Sequence, residues 1–157
     1  MKKLKIYLET TLFNYYFDEL REAHNATVML FKDIASGKYE AYTSDYVVNE
    51  LEDTKSEKRE KMLELIKKYN IIVLGLDYEA ERLADNYVEQ GIIPQKYRTD
   101  GVHIAVAAVN NINMIISMNF QHIVKRKTKL GTSNINISQG YNAVEIYNPM
   151  EVIDYES

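Results

Sequence analysis

KIYLETTLFNYY, residues 5–16, sets an acid between two kinds of pattern. Before Glu9 the chain alternates as a strand does, with Leu4, Ile6 and Leu8 on one side and Lys5 and Tyr7 on the other. After it, Thr10 and Thr11 open a short helix that runs through Leu12, Phe13 and Tyr16. A carboxylate leaving a core strand is costly to desolvate unless a cation or hydrogen-bond donors meet it.

Outward from this unit, strands alternate with helices. A second helix is expected from about Asn25 to Ala35, stopped by Gly37, and then a strand YEAYT, residues 39–43. Ser44 has the chemistry of an N-cap for a helix to about Glu52, and Ser56 for another whose Met62, Leu65, Ile66 and Tyr69 share one face. Lys67 and Lys68 sit favourably in that helix's last turn. IIVL, residues 71–74, reads as a third strand. Asp77 opens a helix with Ala80, Leu83, Ala84, Tyr87 and Val88 on one face and Gly91 past its end. From Asp100 to Val109 nearly every residue is apolar, so that helix should lie deep against a sheet, and NMIIS, residues 113–117, is a fourth strand. Helices between strands imply parallel crossovers, hence an α/β fold: a three-layer α/β/α sandwich with a mainly parallel central sheet.

Composition narrows the chemistry. The 157 residues fit one domain spanning 1–157, with 46% hydrophobic and 27% charged residues, as in an ordinary globular protein. There is no apolar run of the roughly 20 residues needed to span a bilayer, and MKKLKIYLET lacks the apolar stretch and cleavage site of a signal peptide, so a cytoplasmic location is expected. The absence of cysteine removes thiolate nucleophiles and zinc ribbons, and three histidines leave little for a His-rich metal site. A net charge of −4 argues against coating nucleic acid by bulk charge, while a local basic patch remains compatible with it. No Gly-x-Gly-x-x-Gly, phosphate-binding loop or Gly-x-Ser-x-Gly is present, which removes the usual nucleotide and hydrolase versions of an α/β sheet.

Open parallel sheets place their sites beyond the carboxyl ends of the strands. Glu9 ends the first strand; Glu50 stands three and four residues after Val47 and Tyr46, on or beside an apolar face; Asp100 heads the buried helix; Asn119 follows the fourth strand. Each has a plainer reading: Asp100 as partner of a helix N-terminus, Glu50 as one of the solvated acids beside Glu52 and Asp53, Asn119 as a turn residue. Together they suit a hard cation, Mg²⁺ or Mn²⁺, because converging carboxylates repel one another until a divalent ion neutralises them. Three carboxylates against one ion leave one negative charge, so one ion is expected before nucleic acid adds phosphates.

Read in order, YLETTLFNYY, TSDYVVNEL, DGVHIAVAAVNN and IISMNFQHI resemble the four motif blocks of PIN-domain ribonucleases, and the closing GYNAVEIYNPMEVI resembles the tail of one PIN subgroup. The resemblance implies a Rossmann-like α/β/α sandwich and Mg²⁺- or Mn²⁺-dependent cleavage of RNA that leaves a 5'-phosphate. Many members are VapC-type toxins held silent by a small antitoxin, and a homodimer is among the assemblies open to the chain. Carried over by position, Glu9 replaces the usual first aspartate, Glu50 is the second acid, Asp100 the third, and Asn119 stands where a fourth aspartate often does. The metal would rest on Glu9, Glu50 and Asp100. Thr10 and Thr11 match the polar pair after the first acid. Two departures stand out: Glu9 moves its oxygens by on the order of 1.5 Å relative to aspartate, and Asn119 brings a carbonyl oxygen and an amide but no charge.

His103, one turn after Asp100, is expected to be a packed, hydrogen-bonded core histidine, and His122 to orient the Asn119 loop. VKRKTKL, residues 124–130, with Lys125, Arg126 and Lys127, would make the rim of the pocket positive; Lys96 and Arg98, with Thr10 and Thr11, complete the expected RNA-facing set. The alternative is a PIN-fold binding module for RNA or protein whose altered first and fourth positions have lost the metal.

Overall fold

The computed structural model describes residues 3–54, 57–118 and 126–153, with Arg126 and Lys127 described by backbone alone. β1 (Leu4–Leu8) is followed by α1 (Thr10–Tyr15) and α2 (His24–Ala35). Then come β2 (Tyr39–Ser44), α3 (Asp45–Glu52), α4 (Arg59–Lys68) and β3 (Ile72–Leu74). After α5 (Tyr78–Glu89), a 3₁₀ turn at Gln95–Tyr97 leads into α6 (Arg98–Val109) and β4 (Met114–Ile116). α7 (Arg126–Ser138), β5 (Glu145–Tyr147) and α8 (Pro149–Val152) complete the described chain.

The strands form one five-stranded sheet in the order β3-β2-β1-β4-β5, every neighbouring pair parallel. Because right-handed crossovers put α1–α4 on one face while the chain moves toward β3, and α5–α7 on the other after it doubles back to β4, the sheet is covered on both sides. The packing agrees: α1 contacts α2, α3 and α4, while α5 contacts α6 and α7.

Covering both faces overrides the alternation in LKIYL. Leu4 is 62% exposed at the sheet's amino edge, whereas Ile6, Tyr7 and Leu8 are all buried, so Tyr7 faces a second packed layer rather than solvent. The expected caps are present: Ser44 Oγ accepts from Val47 N, and Asp77 Oδ1 accepts from Glu79 N and Ala80 N. Gly37 and Gly91 hold φ of +89° and +73° where α2 and α5 end, a region L-residues avoid. The Ser56 cap lies outside the described residues. α6 is buried from Gly101 to Ala108, as its composition requires, and Gly101 lets it approach α5: a Cβ there would stand 3.4 Å from Tyr87 Cδ2. No described helix is long and apolar enough to cross a membrane.

Three elements after β4, namely α7, β5 and α8, extend the expected set. β5 adds a fifth strand beside β4, and the polar segment TKLGTSNINIS forms most of α7. The buried positions of α7 include Thr128, Thr132 and Asn136, one turn apart, where hydrophobic side chains would ordinarily mark the inner face. Thr132 Oγ1 donates to Thr128 O at 2.9 Å, and Asn136 Oδ1 accepts from the Tyr87 hydroxyl on α5.

Candidate active site

β1 is the central strand, and the chain departs from it to β2 on one side and is joined by β4 on the other. The carboxyl ends of β1, β2 and β4 therefore frame a topological switch point, where an open α/β sheet leaves a crevice. Glu9 stands there, 3% exposed, and its backbone N–H continues the ladder to Ile116 O at 3.1 Å. Its Oε1 accepts from Thr11 N at 3.0 Å, Thr11 Oγ1 at 2.5 Å and Ser117 Oγ at 2.6 Å. The added methylene is thus accommodated by folding the side chain back to cap α1. Thr11 Oγ1 also accepts from Met118 N at 3.0 Å, which ties the first turn of α1 to the end of β4.

Glu50 reaches the same place from α3. Its Oε2 accepts from Thr10 Oγ1 at 2.7 Å, and its Oε1 lies 2.9 Å from His103 Nε2. Burial alone would raise the Glu50 carboxyl, but the His103 and Thr10 bonds outweigh it and hold it below the usual range. The His103 ring is 1% exposed, and its Nδ1 lies 2.7 Å from the Tyr7 hydroxyl, itself 2.6 Å from Ser44 Oγ. Burial opposes charge on this ring, yet the Glu50 bond and the charges of Glu9, Glu50 and Asp100 prevail and raise it. Burial likewise drives the Tyr7 hydroxyl far above its ordinary value, so Tyr7 keeps its proton.

Asp100 is the exception in this cluster. It lies in the first turn of α6, half-buried, with no capping bond there and no hydrogen bond or ion pair among the described residues. Burial and then the charge of Glu9 push its carboxyl up to about 6, with His103 opposing and Glu50 adding to the rise. Glu9, Glu50 and His103 each offer a ligand atom within 4.8 Å of the others; among the described residues the set that meets this distance holds His103 rather than Asp100, which feels the charges of Glu9 and Glu50 from the first turn of α6.

The donor set fits a hard divalent cation. Oxygen donors predominate, Glu9 Oε2 has no hydrogen bond among the described residues, and Asp100 is an acid raised by burial and by Glu9, only partly offset by His103. The His103 ring sits within the same small volume, but both nitrogens already have partners, Tyr7 and Glu50. It is the packed, hydrogen-bonded histidine expected from sequence.

The remaining expected residues divide. Thr10 and Thr11 stand at the site with their hydroxyls on Glu50 and Glu9. Arg98 Nε is 2.7 Å from Asp85 Oδ1 and its Nη2 3.8 Å from Glu81 Oε1, both on α5. The Lys96 ammonium lies 5.1 Å from the centroid of the Tyr97 ring. Asn119, His122 and Lys125, and the side chains of Arg126 and Lys127, lie outside the described residues. Ser117, on Glu9, and Tyr7, on His103, are not marked as site residues by sequence, and Ser44 lies behind Tyr7 as the cap of α3. The available signal was positional: Ser44 and Ser117 are small polar residues at the carboxyl ends of the strands flanking β1.

Neither protein-family models nor curated proteins match the chain. Among solved structures it is similar to a chain of VapBC2 from Rickettsia felis, bound to a DNA fragment from its promoter. That likeness has 14% identity and a TM-score of 0.56, over 92% of this chain and 98% of that one. It is similar also to VapC20 of Mycobacterium tuberculosis, a toxin that cleaves the sarcin–ricin loop, with 12% identity, a TM-score of 0.57, and 89% and 98% of the two chains covered. At these identities the likeness speaks for the fold, which is the VapC-like PIN fold.

Proposed function

We propose that this chain is a metal-dependent endoribonuclease that hydrolyses RNA phosphodiesters and serves as the toxin of a type II toxin–antitoxin pair in the cytoplasm. The observation that carries the reading is the meeting of Glu9 and Glu50 at the switch point of a VapC-like sheet, with Asp100, whose side chain has no hydrogen bond or ion pair among the described residues, raised by burial and by their charges. Such an arrangement persists where a cation completes it.

In this reading Glu9, Glu50 and Asp100 hold Mg²⁺ or Mn²⁺. The ion supplies Lewis acidity toward a phosphodiester oxygen and a water-derived nucleophile at neutral pH. The chain's own groups supply order. Thr11 and Ser117 fix one oxygen of Glu9 and leave the other toward the crevice. Thr10 and His103 fix Glu50, the acid that takes up a proton through water. Asn119 positions the attacking water, and Lys96, Arg98, Lys125, Arg126 and Lys127 form the phosphate-facing rim. A small antitoxin is the partner, by analogy with the VapBC2 assembly.

One observation favours a non-catalytic RNA- or protein-binding module instead: His103 already gives Glu50 a proton donor, so part of the acidic charge is met without an ion. The two readings part on one experiment. Mg²⁺ or Mn²⁺ should raise the melting temperature and support cleavage of single-stranded RNA, with an RNA hairpin of the sarcin–ricin type as a second substrate. If neither ion stabilises the protein and neither supports cleavage, the module reading stands.

A further inference from the structure

The buried polar groups behind Glu50 form a line with a single consistent direction. Val47 N donates to Ser44 Oγ at 3.4 Å, which leaves the Ser44 hydroxyl proton for Tyr7 Oη at 2.6 Å. The Tyr7 hydroxyl then donates to His103 Nδ1 at 2.7 Å, and His103 Nε2–H donates to Glu50 Oε1 at 2.9 Å. Every proton in this order has an acceptor. In the reverse order the Ser44 hydroxyl proton has no acceptor among the described residues, an orphan that a fully buried residue avoids.

We propose that Tyr7 is a positioning residue for the metal site: its hydroxyl, bonded to Nδ1, holds the His103 ring with Nε2 on Glu50 and so aims the Glu50 carboxylate at the crevice. This rests on the metal-site reading above and deepens it. Tyr7 touches none of the three acids through a hydrogen bond and acts through one ring. Without its hydroxyl, Nδ1 loses its only hydrogen-bond partner among the described residues, and the ring whose Nε2–H holds Glu50 loses the bond that fixes its plane. Groups bonded directly to a metal ligand, as His103 is to Glu50, are worth about 10- to 100-fold in metal affinity, and Tyr7, one bond further back, belongs at the lower end of that range.

Ser44 supplies the internal contrast. It lies one step further back and caps α3, so its loss should appear in stability, while Tyr7 still donates to His103. The test uses the whole chain, with Mn²⁺ alone as the probe. Titration calorimetry of wild type, Tyr7→Phe and Ser44→Ala should give an affinity at least tenfold weaker for Tyr7→Phe, with Ser44→Ala within about threefold of wild type but lower in melting temperature. Nitrogen NMR of the wild-type, metal-free protein at pH above the ring's titration should show the His103 proton on Nε2, and needs no variant to fold. Binding to wild type with equal affinity for Tyr7→Phe, or a proton on Nδ1, overturns the positioning role and leaves the metal site standing. No binding to wild type overturns both.

Discussion

Asp100→Asn separates an acid kept for a cation from an acid kept for the fold. The Asp100 carboxyl is raised from 3.8 to about 6 by burial and by Glu9 and Glu50, partly offset by His103. A shift of that size corresponds to roughly 3 kcal/mol at about 1.4 kcal/mol per unit. Because the group is only half-buried and solvent screens it, about 1 to 2 kcal/mol is the working figure. The folded value lies above the unfolded one, so the native state binds this proton more tightly. The stability it contributes is fully present below about pH 4 and is lost as pH rises through about 6. Asparagine keeps the shape and removes the charge. In EDTA at pH 7, urea denaturation should therefore find Asp100→Asn more stable than wild type by about 1 to 2 kcal/mol, with the difference closing toward pH 4. Saturating Mn²⁺ should reverse the order, since an ion at 100 times its dissociation constant adds about 2.7 kcal/mol to the protein that binds it. RNA cleavage should be lost. A variant less stable than wild type in EDTA at pH 7, or equally stabilised by Mn²⁺, refutes the reasoning.

Other outcomes follow from the same geometry. Calorimetry without nucleic acid should count one Mn²⁺ per chain, because the three acids provide charge for one divalent ion before phosphate arrives; two tight sites would contradict this. The apparent affinity should fall by about tenfold per pH unit below pH 6, where Asp100 takes up a proton. Thr11→Val removes one donor to Glu9 and the acceptor of Met118 N, and should cost about 1 to 3 kcal/mol in urea denaturation. Asn136→Leu and Tyr87→Phe should each destabilise by orphaning the other's polar group. The double variant should destabilise less than the sum, a coupling that a double-mutant cycle reads directly.

Much of this was legible because strands, caps and crossovers leave local marks. Ser44, Asp77, Gly37 and Gly91 each announce a helix end through chemistry that needs no tertiary partner. The burial of α6 could be read from composition alone. The failures share one cause, which is packing from outside the segment. Tyr7 alternates with Ile6 and Leu8 as a solvent-facing residue would, and only α6, across the sheet, makes it core. α7 hides its inner face because Thr128, Thr132 and Asn136 bury polar groups where periodicity looks for apolar ones. β5 has three residues, one of them buried, too few to show a period. At the site, Glu9 and Glu50 and their neighbours Thr10, Thr11 and His103 could be named by position, but Ser117 could not. Nothing local to Ser117 says that its hydroxyl serves an acid 108 residues earlier.

That long reach also orders events in time. Strand β1 leaves the ribosome well before β4, one of its two neighbours in the sheet. A nascent chain stopped short of Ser117 carries Glu9, Glu50 and Asp100 without the strand that closes the frame around the first of them. Synthesis itself thus acts as a safety catch, withholding the closed frame around Glu9 until Ser117 has been added.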